Sequence, residues 1–98
     1  MATYILMTKL STDLTKDIKE RESIGKRWKE QVKKSCPHVK FIAHYALLGP
    51  YDFMDIYEAP GEEEAAKISM ISLANGATKA ESWTAIPYNR FLELVEEL

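Results

Sequence analysis

The sequence predicts an α+β fold: a four-stranded antiparallel sheet, two helices on one of its faces, and a further helix at the C-terminus. Three observations carry this expectation. Four short segments rich in β-branched and aromatic residues alternate with two segments of helical period, in the order β-α-β-β-α-β. The middle two strands are separated by Gly49-Pro50 alone, so they must run antiparallel. The 98 residues, 46% hydrophobic and 29% charged, suit one globular domain over residues 1–98 and exclude a disordered chain.

Thr3 to Lys9 is short and apolar and reads as the first strand. Ser11-Thr12-Asp13 supplies capping side chains for a helix in which Leu14, Ile18, Gly25, Trp28 and Val32 keep one face. Opposite charges four residues apart line its outer side: Lys16–Glu20, Asp17–Arg21, Glu22–Lys26 and Glu30–Lys34. Gly25 costs about 1 kcal/mol in a helix interior and admits a kink or break near Glu22–Gly25. Cys36-Pro37 ends the helix.

Val39 to Leu48 and Tyr51 to Glu58 form the hairpin strands, with Pro50 preset for a tight corner. Ala59-Pro60-Gly61 opens the next helix, and Glu62, Glu63 and Glu64 meet the positive end of its dipole. Ala65, Ala66, Ile68, Met70, Ile71 and Leu73 fill its body, and Asn75-Gly76 forms a left-handed stop. Thr78 to Ile86 is the fourth strand. Pro87 begins a terminal helix with Phe91, Leu94, Val95 and Leu98 on one side. This order is that of the ferredoxin-like split βαβ fold.

A sheet with one wet face alternates apolar and polar residues along each strand. These strands do not. Val39, Phe41, Ala43, Tyr45 and Leu47 fall on one face by parity, yet Ile42, Ala46 and Leu48 accompany His44 on the other. Met54 and Ile56 oppose Phe53 and Tyr57, and Tyr4 and Leu6 oppose Ile5 and Met7. Both faces are therefore expected to be buried. Packing two sheets face to face in a homodimeric α/β barrel achieves this without exposing an oversized apolar patch.

The segment Leu48-Gly49-Pro50-Tyr51-Asp52-Phe53-Met54-Asp55-Ile56-Tyr57-Glu58-Ala59-Pro60 resembles the signature of the GYD-domain family, named for its Gly-Tyr-Asp or Gly-x-Tyr-Asp element. Thr3-Tyr4-Ile5-Leu6-Met7-Thr8 and Thr78-Lys79-Ala80-Glu81-Ser82-Trp83-Thr84-Ala85-Ile86-Pro87 are similar to it as well. Ser35-Cys36-Pro37-His38 departs from it, standing where a glycine-containing turn is expected. The resemblance implies a ferredoxin-like fold of the dimeric α/β-barrel superfamily, whose ligand cavity lies between sheet and helices. Members are small prokaryotic proteins, mostly without an assigned activity.

Five residues are candidates for a binding site. Tyr51 and Asp52 can hold a small molecule or act as acid and base, although Asp52 can equally tie down the turn. His44 lies mid-strand among apolar neighbours, as a satisfied interface histidine or a proton shuttle. Trp28 and Trp83 can line an aromatic pocket or simply fill a core. Glu58 reads as a strand-end residue and His38 as an exposed loop residue. Met7, Met54 and Met70 read as core fillers.

No metal site is expected. His38 and His44 are about 20 Å apart if the strand is extended, and Asp52 and Asp55 have opposite parity. No phosphate loop, nucleophile elbow or zinc-protease motif occurs, and no cofactor is expected. Cys36 lacks a partner that would make it a nucleophile.

The net charge of −2 hides a split. Ten basic and five acidic residues lie up to Lys40, and three basic and ten acidic residues follow. Because the basic residues interleave with Asp17, Glu20, Glu22 and Glu30, they describe a solvated helix face rather than a nucleic-acid footprint. No apolar run approaches the roughly 20 residues that span a membrane, and Met1-Ala2-Thr3-Tyr4 lacks a signal peptide's pattern, so a cytoplasmic location is expected. The expected function is that of a homo-oligomeric protein binding a small molecule or a protein partner. A cofactor-independent oxygenase or isomerase working in an aromatic pocket is the rival.

Overall fold

The computed structural model describes residues 1–12 and 18–98. The expected cap at Asp13, the apolar position Leu14, the Ile18 side chain and the pairs Lys16–Glu20 and Asp17–Arg21 lie outside what is described. Among the described residues four strands and three helices follow one another: β1 (Ala2–Leu10), α1 (Ile18–Ser35), β2 (Lys40–Ala46), β3 (Phe53–Ala59), α2 (Glu62–Ala74), β4 (Ala77–Ala85) and α3 (Tyr88–Glu96). The sheet is antiparallel in the order β2-β3-β1-β4, which is the ferredoxin-like arrangement the sequence predicts.

Several local signals act as expected. Gly76 takes φ 100°, a left-handed conformation that glycine adopts without steric cost, and stops α2. Pro87 caps α3, accepting from the Phe91 N–H at 3.0 Å. The helix α1 runs unbroken through Gly25. Others differ. The hairpin strands are shorter than their apolar runs, because residues 47–52 form a loop closed by the Leu47 N–H on the Asp52 carbonyl at 2.8 Å. Met70 and Leu73, expected inside, lie on the outer side of α2. Neither Glu22–Lys26 nor Glu30–Lys34 closes to an ion pair among the described residues.

Cross-strand partners share a face, so the register sorts the sheet into rows. Phe41–Tyr57–Tyr4–Thr84, His44–Asp55–Leu6–Ser82 and Ala46–Phe53–Thr8–Ala80 lie beneath the helices. Ala43–Ile56–Ile5–Trp83 and Tyr45–Met54–Met7–Glu81 lie on the opposite, open face. That face is largely apolar, and Tyr45 and Trp83 stay 53% and 46% exposed on it. The helix α3 buries none of its residues; Tyr88, Phe91, Leu92 and Val95 are all exposed.

The core lies at one end of the helix-covered face. Tyr4 stacks on Tyr57 with centroids 5.5 Å apart, Phe41 tilts against Tyr57 at 5.8 Å, and Trp28 meets Phe41 edge-on at 5.4 Å. Val32 from α1, Cys36 just beyond its end, and Ala65, Ile68 and Ile71 from α2 close over them. The Tyr57 hydroxyl is bonded to Ser82 Oγ at 2.9 Å, and Ser82 Oγ to Ser69 Oγ at 2.9 Å, so this buried polar tip is satisfied.

Candidate functional site

The site begins with a one-residue irregularity in β2. Phe41 pairs with Tyr57 but Ala43 pairs with Ile56, so Ile42 is an extra residue and forms a β-bulge. The strict alternation expected from the sequence is therefore corrected. Phe41 and His44 lie beneath the helices together, whereas Ala43 and Tyr45 lie on the open face. Without the bulge, His44 would point away from α1. With it, the imidazole stands directly opposite Asp55 of β3.

Asp55 is a carboxylate in a buried row, its side chain only 6% exposed; that of His44 is 61% exposed. Asp55 Oδ1 lies 2.5 Å from His44 Nδ1. Burial pushes the Asp55 carboxyl above its ordinary value, opposed by the charge and hydrogen bond of His44 and by the charge of Lys29. The His44 ring stacks on Phe53 at 5.4 Å, and the Arg21 guanidinium lies over the same Phe53 ring at 5.1 Å.

These groups border a cleft of about 400 Å³ between α1 and the sheet. Trp28, Ile24, Leu10, Phe53 and Ala46 provide apolar wall, and Gly25 leaves room beside Trp28. A Cβ added at Gly25 would meet nothing within 4 Å. Trp28 is held by its indole N–H, which donates to Ser72 Oγ at 2.7 Å. The Ser72 hydroxyl in turn donates to the Ile68 carbonyl at 3.0 Å.

Of the five candidates, the fold brings Trp28 and His44 to the cleft and sends Tyr51 and Trp83 elsewhere. Tyr51 Oη and Trp83 Nε1 both donate to Glu81 Oε1, at 2.9 and 3.1 Å, and the two rings meet edge-on at 6.3 Å. This group belongs to the open face. Its carboxylate raises the Tyr51 phenol above the ordinary value, because the hydrogen bond is made by the neutral phenol.

Asp52 ties down the turn. Its Oδ2 accepts from the Leu10 N–H at 2.7 Å, and its own N–H donates to the Thr8 carbonyl at 2.8 Å. Asp52 thereby fixes the end of β1, whose Thr8 and Leu10 help to wall the cleft. Among the described residues no three His, Cys, Asp or Glu side chains gather as a metal site. Burial raises the Cys36 thiol, and His38 is exposed.

Two contributors were not among the candidates: Asp55 and Arg21. Asp55 had a readable signal. It is a charged residue two positions from Phe53 and two from Tyr57, so it shares the buried face of an apolar strand. Arg21 had none, since its place over Phe53 depends on how α1 lies across the sheet.

A bulged four-stranded sheet, covered on one face and bearing a cleft beneath its long helix, defines a ferredoxin-like α+β protein. The GYD domain model matches residues 4–95, and the chain belongs to that family. It is 28% identical over 87 residues to a Thermus thermophilus protein named glutamine synthetase and cystathionine beta-lyase binding protein, covering 89% of this chain and 90% of that one. Two crystal structures share the fold. One is of a protein from Thermus thermophilus, with TM-score 0.59 and 18% identity over 89% of this chain and 95% of the other. The second is FFRP-DM1, with TM-score 0.55 and 20% identity over 88% of this chain and 100% of the other. Among the described residues no helix is long and apolar enough to cross a membrane.

Proposed function

We propose that this protein is a homodimeric binding module whose cleft beneath Trp28 receives a small molecule. The observation that carries this reading is the cleft itself. It holds about 400 Å³, presents mainly apolar surface, and carries the His44–Asp55 pair together with Arg21 and Glu22 on its wall. That is the size and composition of a small-ligand site. The rows Ala43–Ile56–Ile5–Trp83 and Tyr45–Met54–Met7–Glu81 support a second copy on the open face, through an interface of about 2,000 Å² or less.

Native mass spectrometry of freshly purified protein tests both parts. The expected spectrum is that of a dimer carrying a small adduct, which Gly25→Leu removes by filling the cleft while leaving the dimer intact. A ligand-free 11.2 kDa monomer at micromolar concentration would overturn the reading.

A protein partner is a second reading, favoured by one comparison. The Thermus relative is named for binding two enzymes. The unburied apolar side of α3 offers a surface for such docking in this chain. Truncation before Tyr88 should then abolish partner capture and leave the cleft's ligand in place.

A further inference from the structure

We propose that the cleft accepts a flat, apolar molecule bearing one weakly acidic hydroxyl, a phenol or enol, and that His44 Nε2 takes up the hydroxyl proton. This rests on the reading of the cleft as a ligand site and names the chemistry it selects. The argument starts from which polar atoms of the cleft are already engaged. Trp28 Nε1 and Ser72 Oγ are bonded to each other, and Ser72 also donates to the Ile68 carbonyl. Asn75 Nδ2 donates to the Ile71 carbonyl at 2.8 Å and to Gln31 Oε1 at 3.1 Å. His44 Nδ1 faces Asp55 Oδ1; with Asp55 ionised, its carboxylate can only accept, which places the imidazole proton on Nδ1. The lone pair of the neutral ring is then on Nε2, which has no partner among the described residues.

The surroundings select for a flat, apolar body. Phe53 and Trp28 present aromatic surface, and Leu10 and Ile24 present aliphatic surface. A hydroxyl at one end of such a molecule, placed at Nε2, would give up its proton in a balanced step. The O–H bond breaks, the electron pair stays on oxygen, and an N–H bond forms at Nε2. The resulting imidazolium has the Asp55 carboxylate on one nitrogen and the new oxyanion on the other. The charged groups nearby are Arg21 and Glu22 on the cleft wall and Lys29, which acts on Asp55; the positive ones stabilise the oxyanion, and Glu22 and Asp55 stabilise the imidazolium. Asp55 acts through His44 and is a positioning residue, held in its row by β3.

The probe is para-nitrophenol, whose ionised form absorbs visible light, compared with para-nitrotoluene, which has the same outline and no acidic hydroxyl. Binding is followed by quenching of Trp28 in a Trp83→Phe chain, where it is the sole tryptophan. Bound nitrophenol is expected to titrate about one pH unit lower than in water, a tenfold rise in the ionised-to-neutral ratio. His44→Gln should leave the ionisation of bound nitrophenol at its solution value. Asp55→Asn, which can still accept from Nδ1, should keep part of the shift. Binding without a shift, or a shift that survives His44→Gln, overturns this inference and leaves the ligand site standing. Failure of both probes to quench Trp28 overturns it together with the ligand reading on which it rests.

Discussion

The two ends of the helix-covered face are built from the same strands and end differently. At one end Tyr57 is 0% exposed, stacked on Tyr4 and flanked by the tilted ring of Phe41, with its hydroxyl bonded to Ser82. Two residues earlier on the same strand, Asp55 occupies the equivalent inward position, and the space toward Phe53 is a cleft. Both side chains are polar and both are buried. The difference lies in what meets them. The phenol is enclosed by aromatic rings and a serine, whereas the carboxylate is met by a half-exposed imidazole that leads outward. A closed core spends its polar atoms on internal partners, while the cleft keeps polar groups, His44 Nε2 among them, open to a ligand.

The largest expected effect would break this contrast at the closed end. Tyr57→Ala should cost about 3–5 kcal/mol, as large aromatic truncations in tight cores do. Phe53→Ala at the cleft should cost about 1–2 kcal/mol, because part of its ring already faces open space. Equal losses in thermal or denaturant unfolding would show that the two ends are packed alike.

Next in size is the tie between turn and cleft. Asp52→Ala removes the acceptor for the Leu10 N–H and should cost about 1–3 kcal/mol in urea unfolding. It should also weaken whatever the cleft binds, because Leu10 is part of the wall. An unchanged midpoint would give Asp52 a functional rather than a structural role.

The two ends should also titrate in opposite ranges. Burial pushes the Tyr57 phenol up to about 12 from 10.0. Between these values the unfolded chain loses a proton that the folded chain keeps. Stability should thus fall by about 1.4 kcal/mol per pH unit there, a slope absent in Tyr57→Phe. The Asp55 carboxyl is likewise raised above its ordinary 3.8. Its protonated form is favoured by folding, so the advantage is full below 3.8 and is lost as pH rises through the folded value. Asp55→Asn should therefore gain on the wild type as pH rises from the acid side, and parallel profiles would contradict that sign.

The smallest effect sharpens the cleft end. Gly25→Ala adds a methyl group into open space and restores helix propensity, so it should stabilise by about 1 kcal/mol. A loss instead would mean that the space beside Trp28 is filled.

What was legible in the sequence was local. The β-branched runs, the Asn75-Gly76 stop, Pro87 at a helix start and the apolar character of both strand parities each act over a few residues, and each led to the element or face that the fold contains. Trp28 was legible as well, since helical period alone puts it on the covered side. The cleft's polar pair was not. Parity set His44 apart from Phe41, and only pairing with β3, which inserts Ile42 as a bulge, turns the imidazole onto Asp55. The same holds for Tyr51, drawn to Glu81 on the open face by a contact across 30 positions, and for Arg21 over Phe53. The sequence by itself determined which segments are strands and helices and which stripes are apolar, because those follow from backbone sterics and side-chain period. The tertiary structure decided which polar atoms meet. A one-residue slip in a ladder reverses a face, and its cost depends on partners distant in the chain.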